Sequence, residues 1–456
     1  MCFAVPVSGL GDKNVAQFYS TGTGRDLAGT PSLGLRSRMA WPATRPVRRQ
    51  DKAMRPRANS GAEPLSIYIS VPFCRSKCSY CNFASQVFPA ARQSEYIAAL
   101  EQELEWTRAR ESSLGESCAT LYWGGGTPSL LPAALFTQMM TALERHFPRQ
   151  PGAECTLEAA PGTLQSETLD AWRRAGIHRI SLGMQSWQAA ELRASGRLHG
   201  PEHIAADLRT LRAAGLDEIN LDLIAGLPHQ TEASWRDSVE RTVAAGAPHI
   251  SIYMLDVDED SRLGRELLAG GGRYHAASVP ADDQIAEFYE YGIERLARAG
   301  YRQYEISNFA LPGHESRHNE GYWLRRPYLG LGVDAHSLLR SAAPGAGDGR
   351  DLRWSNLDSL ETYLAAIARG ELPRAETIWL DAESQLEEAC FLGLRRNEGL
   401  DLNRLEREFG EAALAPQKAE LRAMAAEGWL EENGDLVRLT QRGRMVGNEV
   451  FARMLS

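Results

Sequence analysis

From residue 64 onward one unit recurs: a short run rich in β-branched and aromatic residues, then a stretch with helical periodicity. The runs are Leu65–Val71, Cys118–Trp123, Glu154–Glu158, Arg179–Met184, Glu218–Ile224 and His249–Leu255. The predicted helices between them are Ser94–Thr107, Pro132–His146, Ser166–Ala175, Pro201–Ala214 and Thr231–Ala245. Gly176, Gly215 and Gly246 fall where helix C-terminal caps belong, just before a following strand. Strand–helix alternation at this spacing predicts an α/β fold of parallel units. Six such units are too few for a closed eightfold barrel. A partial barrel and a doubly wound sheet both fit, and periodicity alone does not choose between them.

The pattern loosens after residue 300. Tyr301–Ser307 reads as one more strand and Ser341–Arg350 as a loop. Beyond about residue 380 the chain turns helical and charged, then passes through Leu421–Met424, Gly428–Leu430, Val437–Thr440 and Val446–Leu455. Helix, helix, strand pair and helix predict a small winged-helix-like unit for packing or docking. It carries no marked basic surface, so no nucleic-acid partner is expected. The division that follows is 1–63, 64–300, 301–378 and 379–456. Residues 1–60 hold ten Lys/Arg against three Asp, a net of +7 in a chain of net −9, so the remainder carries −16. Pro42, Pro46 and Pro56 break any amphipathic leader helix, and no apolar signal core is present. The segment reads as a disordered extension or a start placed too early, with Met54 the alternative start. Hydrophobic residues at 43% and charged residues at 24% exclude disordered, collagen-like and disulfide-scaffold classes for the rest. No apolar run is long enough to span a membrane.

Of the seven cysteines, Cys74, Cys78 and Cys81 fall within eight residues, while Cys2, Cys118, Cys155 and Cys390 are scattered. That pattern points to a reducing, cytoplasmic setting with one metal site rather than to a disulfide framework. Thiolates spaced C-x3-C-x2-C on the loop after the first strand can converge on one soft metal centre. Three cysteines on a [4Fe–4S] cube leave one iron open to an exogenous ligand. A zinc site completed by a distant histidine is the alternative, although zinc favours C-x2-C pairs. A second feature is Trp123-Gly-Gly-Gly-Thr127-Pro-Ser129, at the end of the second strand. Successive glycines admit close backbone approach and leave N–H groups exposed.

The cysteine loop and the glycine run together resemble the radical SAM superfamily, whose defining C-x3-C-x2-C follows the first barrel strand. The resemblance implies a partial (β/α)6 barrel. It also implies a [4Fe–4S] cluster on Cys74, Cys78 and Cys81, with S-adenosylmethionine (SAM) chelated at the open iron and cleaved to a deoxyadenosyl radical. Gly125, Gly126 and Thr127 match the segment that holds the SAM amino group. Tyr68, Tyr80, Glu158, Gln185, Arg197 and Asp222 resemble SAM-contacting positions of the coproporphyrinogen dehydrogenase-like HemN/HemW branch. A fourth cysteine of the HemN dehydrogenases is Phe83 here, and His318-Asn-Glu-Gly-Tyr322-Trp323 is similar to the HNxxYW of the haem chaperones. The flanking Tyr304-Glu-Ile-Ser-Asn-Phe-Ala310 and Glu398-Gly399 point the same way.

The implied function is haem chaperoning. His318 would ligate haem iron, Tyr322 and Trp323 would give it flat apolar surface, and haem would pass to an acceptor protein, plausibly a membrane respiratory one. By residue chemistry alone, a satisfied histidine beside packed aromatics is the preferred reading of His318. A homodimer is a family trait. The alternatives are an oxygen-independent coproporphyrinogen III dehydrogenase, a radical SAM enzyme with another substrate, or a zinc module. Three positions depart from the family pattern: Ser70 for a histidine, Ala160 for an asparagine and Asp334 for a glycine.

Overall fold

The computed structural model describes residues 65–340 and 349–455. The N-terminal extension with Met54 and Cys2, and most of the expected Ser341–Arg350 loop, lie outside the described residues.

Strands β1 (Leu65–Val71), β2 (Cys118–Gly125), β3 (Arg149–Ala159), β4 (Arg179–Gln185), β5 (Glu218–Ala225) and β6 (His249–Met254) pair parallel, each beside the next. A doubly wound sheet needs a point where strand order reverses. None occurs among these six, and the sheet is open. This is the partial barrel rather than the doubly wound alternative. The intervening helices Ala91–Arg110, Ala133–His146, Ser166–Arg174, Pro201–Ala213 and Glu232–Ala245 fall close to the predicted stretches. Gly176, Gly215 and Gly246 end or follow helices with φ of +78°, +72° and +64°, where a side chain would be strained.

Six further strands widen the sheet. They are β7 (Arg302–Gln303), β8 (Asn308–Ala310), β9 (Tyr328–Leu331), β10 (His336–Leu339), β11 (Asp351–Asn356) and β12 (Arg374–Leu380). The order is β12-β11-β10-β9-β1-β2-β3-β4-β5-β6-β8-β7, with β9 parallel to β1 and the outer strands antiparallel. The single strand expected at Tyr301–Ser307 is cut to the two residues of β7. The Glu305 carboxylate accepts from the Ser307 N–H (2.8 Å) and from Asn308 Nδ2 (2.6 Å), which folds the chain into a turn between β7 and β8.

The two faces of the parallel sheet differ in chemistry. One presents Ile67, Ile69, Val71, Leu121, Trp123, Leu157, Ile180, Leu182, Leu221, Ile250 and Ile252 to the helices, in one continuous apolar core. The intervening positions are Ser66, Tyr68 and Ser70 on β1, Thr120 and Tyr122 on β2, and Glu154, Thr156 and Glu158 on β3. Arg179 and Ser181 follow on β4, Asn220 and Asp222 on β5, and His249 and Ser251 on β6. All are buried. Successive side chains of a strand point to opposite faces, so these residues line the barrel's interior. That interior is polar throughout.

At the C-terminus, helices Ala382–Leu394, Leu402–Phe409 and Glu411–Ala426 precede Gln441–Met445 and Gly447–Ala452. They pack on a small sheet of β13 (Leu400–Asp401), β14 (Leu430–Asn433) and β15 (Leu436–Leu439). Their apolar core, with Phe391, Leu414, Met424 and Val437, also takes in Tyr322, Trp323 and Tyr328. A buried ion network stitches this region to the large sheet. Arg325 meets Asp351 (2.7 Å) and Glu388 (3.2 Å), and Glu388 also holds Arg353. Among the described residues no helix is long and apolar enough to cross a membrane.

Candidate functional site

The three clustered cysteines occupy the loop at the C-terminal end of β1, the end at which open α/β sheets bind ligands. The loop is clamped from several sides. Ser76 Oγ donates to Gly196 O (3.0 Å), and the Ser79 N–H donates to Ser195 O (3.1 Å). Arg75 Nη1 reaches Gly162 O (3.2 Å), and Arg262 Nη1 reaches Lys77 O (3.2 Å). Cys74, Cys78 and Cys81 are half-buried and in no disulfide. They line a cleft open to solvent, together with Gly125, Gly126, Thr127 and Arg197. Among the described residues no three His, Cys, Asp or Glu side chains converge as ligands of a single ion. Thiolates on separate corners of a cube stand farther apart than ligands of one ion.

The glycine turn presses directly on the cysteine loop. The Gly126 N–H donates to Val71 O (2.7 Å). A Cβ on Gly126 would stand 2.7 Å from Phe73 O, 2.8 Å from Val71 O and 3.0 Å from Cys74 Sγ. Gly125 adopts φ +99°. Thr127 Oγ1 lies 3.7 Å from Cys74 Sγ. Burial pushes the Cys81 thiol up to about 11, with Lys77 opposing. Metal binding must therefore displace a proton there.

A polar shell surrounds the cleft. Tyr80, packed against Cys78 and Cys81, accepts from Arg197 Nη2 (2.9 Å) and Nε (3.3 Å). Gln185 is fully buried at φ +68°, and its carboxamide has no partner among the described residues. Leaving such a group unmet costs about 1–3 kcal/mol, so this carboxamide is available to a polar group brought against it. The bare backbone of Gly183 runs close by: a Cβ there would lie 3.2 Å from Gln185 Nε2 and 3.8 Å from Arg197 Nη1. A carboxamide, a guanidinium, a glycine cradle and three thiols suit a cluster together with a zwitterionic ligand.

Tyr68, Glu158 and Asp222 sit on the inner face of β1, β3 and β5. Glu158 Oε1 accepts from Tyr122 Oη (3.0 Å), and Tyr68 stacks on Tyr122 with centroids 6.0 Å apart. Asp222 accepts from Asn220 Nδ2 (2.7 Å) and Ser181 Oγ (3.3 Å). Among the cleft residues that escaped the sequence reading are His199, neutral with its imidazole pushed down to about 4 by burial and then by Arg197, and exposed Leu198. So did the interior residues Thr120, Glu154, Asn220, His249 and Ser251. Their signal was available as polar residues at every second position of otherwise apolar strands.

Of the three departures from the family pattern, nothing in the structure explains Ser70 or Ala160. Asp334 holds φ +58°, a left-handed position where glycine is easiest and aspartate is tolerated. Phe83, in place of a fourth cysteine, lines the cleft as an apolar wall.

His318 lies at the other end of the barrel. Its Nδ1 meets Thr120 Oγ1 (2.7 Å), its Nε2 meets Tyr322 Oη (2.9 Å), and its backbone N–H donates to Glu154 Oε1 (3.0 Å). The ring stacks on Tyr122 at 5.0 Å and is buried. Thr120 precedes Gly126 by six residues of strand and turn, about 20 Å at about 3.3 Å per residue. In this conformation both ring nitrogens are engaged and no edge of the ring is open.

Burial pushes the His318 imidazole down to about 4. The unfolded chain takes up that proton near pH 6.5, so the contribution is complete above pH 6.5 and is lost as pH falls toward 4. Its full size is about 3 kcal/mol. His318→Gln is therefore expected to lower the melting temperature at pH 7.5 and to lose less between pH 7 and 5 than the parent. Equal losses in both proteins would exclude a buried neutral imidazole.

Comparisons with known proteins agree with this geometry. A family model described as the radical SAM superfamily matches residues 68–242, and one described as the HemN C-terminal domain matches residues 380–446. The chain is 32% identical over 391 residues to the heme chaperone HemW of Bacillus subtilis, covering 86% of this chain and 99% of that one. It is 35% identical over 400 residues to the heme chaperone HemW of Mycobacterium tuberculosis, covering 86% and 95%. Among solved structures it is similar to coproporphyrinogen III oxidase (HemN) from Escherichia coli, with a TM-score of 0.74 and 23% identity over 87% of this chain and 91% of that one. The last comparison establishes the fold.

Proposed function

Because the chain belongs to the HemW family within the radical SAM superfamily, we propose that it is a haem chaperone that carries a [4Fe–4S] cluster and SAM. The observation that carries this reading is a likeness to haem chaperones running nearly end to end along those relatives, 95–99% of their length. Membership implies the cluster and SAM. Cys74, Cys78 and Cys81 would hold the cluster, with Gly126 and Thr127 setting the position of Cys74. Gly125, Gly126, Thr127, Gln185 and Arg197 would hold the polar ends of SAM, with Tyr80 orienting Arg197. Tyr68, Glu158 and Asp222 would meet SAM from the interior side. When bound, the cluster supplies an electron and SAM a cleavable sulfonium.

Haem is assigned to His318–Trp323. Ligation through His318 exchanges two hydrogen bonds, each worth about 1 kcal/mol net, for an iron–nitrogen bond. It requires the helix Arg317–Trp323 to lift from β2 and β3, which presents Tyr322 and Trp323 to the porphyrin. The acceptor would be a membrane-bound haem protein, docked transiently from the cytoplasm, with two copies of this chain pairing during delivery.

The test is anaerobic reconstitution with iron and sulfide followed by haem titration. A Soret shift saturating near one haem per chain, lost in His318→Ala while the cluster is retained, is expected. No shift at stoichiometric haem would remove the chaperone reading, and an unchanged shift in His318→Ala would remove His318. Phe83 in place of a fourth cysteine predicts that coproporphyrinogen supplied with SAM and reductant is returned unchanged.

A further inference from the structure

Part of the polar interior of the barrel is joined into an oriented chain of hydrogen bonds, with Ser181 and Ser251 branching from Asn220. Ser316, the N-cap of the helix bearing His318, donates its N–H to Tyr304 Oη (3.3 Å). Tyr304 Oη lies 2.9 Å from His249 Nε2, and His249 Nδ1 lies 2.6 Å from Asn220 Oδ1. Asn220 Nδ2 donates to Asp222 Oδ1 (2.7 Å). At the helix end, Ser316 Oγ and the His318 N–H both donate to Glu154 Oε1 (3.2 and 3.0 Å).

The roles along this chain follow from its carboxylate end. Asp222 only accepts, so Asn220 turns its NH₂ toward it and its Oδ1 toward His249. His249 Nδ1 then carries the hydrogen of an imidazole that burial keeps neutral, Nε2 is the acceptor, and the Tyr304 hydroxyl donates to it. Every donor points the same way and the series ends on a carboxylate, an arrangement in which successive hydrogen bonds strengthen one another. Asp222 stands toward the ligand-binding end and Ser316 at the opposite end, with Asn220 and His249 buried between them.

We infer that this chain couples the two ends of the barrel: a ligand that engages Asp222 draws its carboxylate from Asn220, slackens the series, and releases the helix Arg317–Trp323. The inference rests on the reading of the cleft as a SAM site and adds a direction to it, namely that SAM binding prepares the His318 helix to open. By reciprocity, opening that helix strengthens SAM binding by the same factor. Tyr304 and His249 are positioning residues that touch neither ligand.

The experiment uses reconstituted full-length protein without haem, with SAM as the probe, and follows amide hydrogen exchange of Ser316, Arg317 and His318. SAM occupancy is measured separately by equilibrium dialysis. Saturating SAM is expected to speed exchange at these amides at least fivefold. Tyr304→Phe removes only the bridging hydroxyl. It is expected to exchange fast from the outset and to respond less than twofold. Tyr301→Phe deletes another hydroxyl, one bonded to Ala247 O (2.6 Å) outside the series, and is expected to respond like the parent. Bound SAM with unchanged or slower exchange, or a full response in Tyr304→Phe, would overturn the coupling and leave the haem-chaperone reading standing. Failure of SAM to bind at all would take both down.

Discussion

Gly126→Ala is expected to abolish cluster assembly while leaving the fold intact. The new methyl would sit under 3 Å from two backbone carbonyl oxygens, Phe73 O and Val71 O, and 3.0 Å from Cys74 Sγ. Backbone on this buried strand end cannot yield as a flexible side chain would, so the displaced partner is the cysteine loop. Ligand groups misplaced by about half an ångström lose a preorganised site. Iron and acid-labile sulfide are expected to fall at least tenfold after reconstitution, and SAM binding with them, while the apo-protein's melting temperature moves by only a few degrees. Gly152→Ala is the control: its Cβ meets nothing within 4 Å, and its φ of +73° adds only local strain of about 1 kcal/mol. Full iron content in Gly126→Ala would mean that the loaded loop stands clear of the glycine turn.

The second large effect concerns stability. Glu388→Ala leaves Arg325 and Arg353 facing each other in the interior with Asp351 as their remaining carboxylate. Removing one partner of a buried ion pair costs about 3–5 kcal/mol, because the charge left behind is neither hydrated nor paired. The urea midpoint of Glu388→Ala is expected to fall accordingly. Glu388→Gln, which keeps the shape and some hydrogen bonding, is expected to fall by less. A loss under about 1 kcal/mol in the alanine variant would show that water reaches the network.

The parallel strands were plain from sequence because β-branched runs alternate with helical periods, three of them stopped by a glycine, and both signals are local. The edge strands were not. β7 and β8 are two and three residues long, too short for a period to register, and the turn between them depends on one side chain, Glu305. β9 to β11 gain their places by pairing with β1 and one another, which is tertiary information. At the site, the cysteines and the glycine run could be read because their spacing is itself the chemistry, whereas Arg197 came by resemblance. Gln185 was found by resemblance, whereas its unmet carboxamide belongs to the folded chain alone. His318 illustrates the opposite limit: the motif named the residue, and only the fold places it at the far end of the barrel with both nitrogens in use. The interior chain from Ser316 to Asp222 draws on four separate segments, so no stretch of sequence announces it.

The alternation of apolar and polar residues along the parallel strands separates two kinds of selection. Substitutions at the helix-facing positions alter how firmly the scaffold holds, and those at the intervening positions alter what it recognises, with little crosstalk between the sets. A scaffold divided in this way can acquire new ligands by changing every second residue of a strand. That offers a physical reason why one architecture serves both the chaperone relatives and the oxidase whose shape it shares.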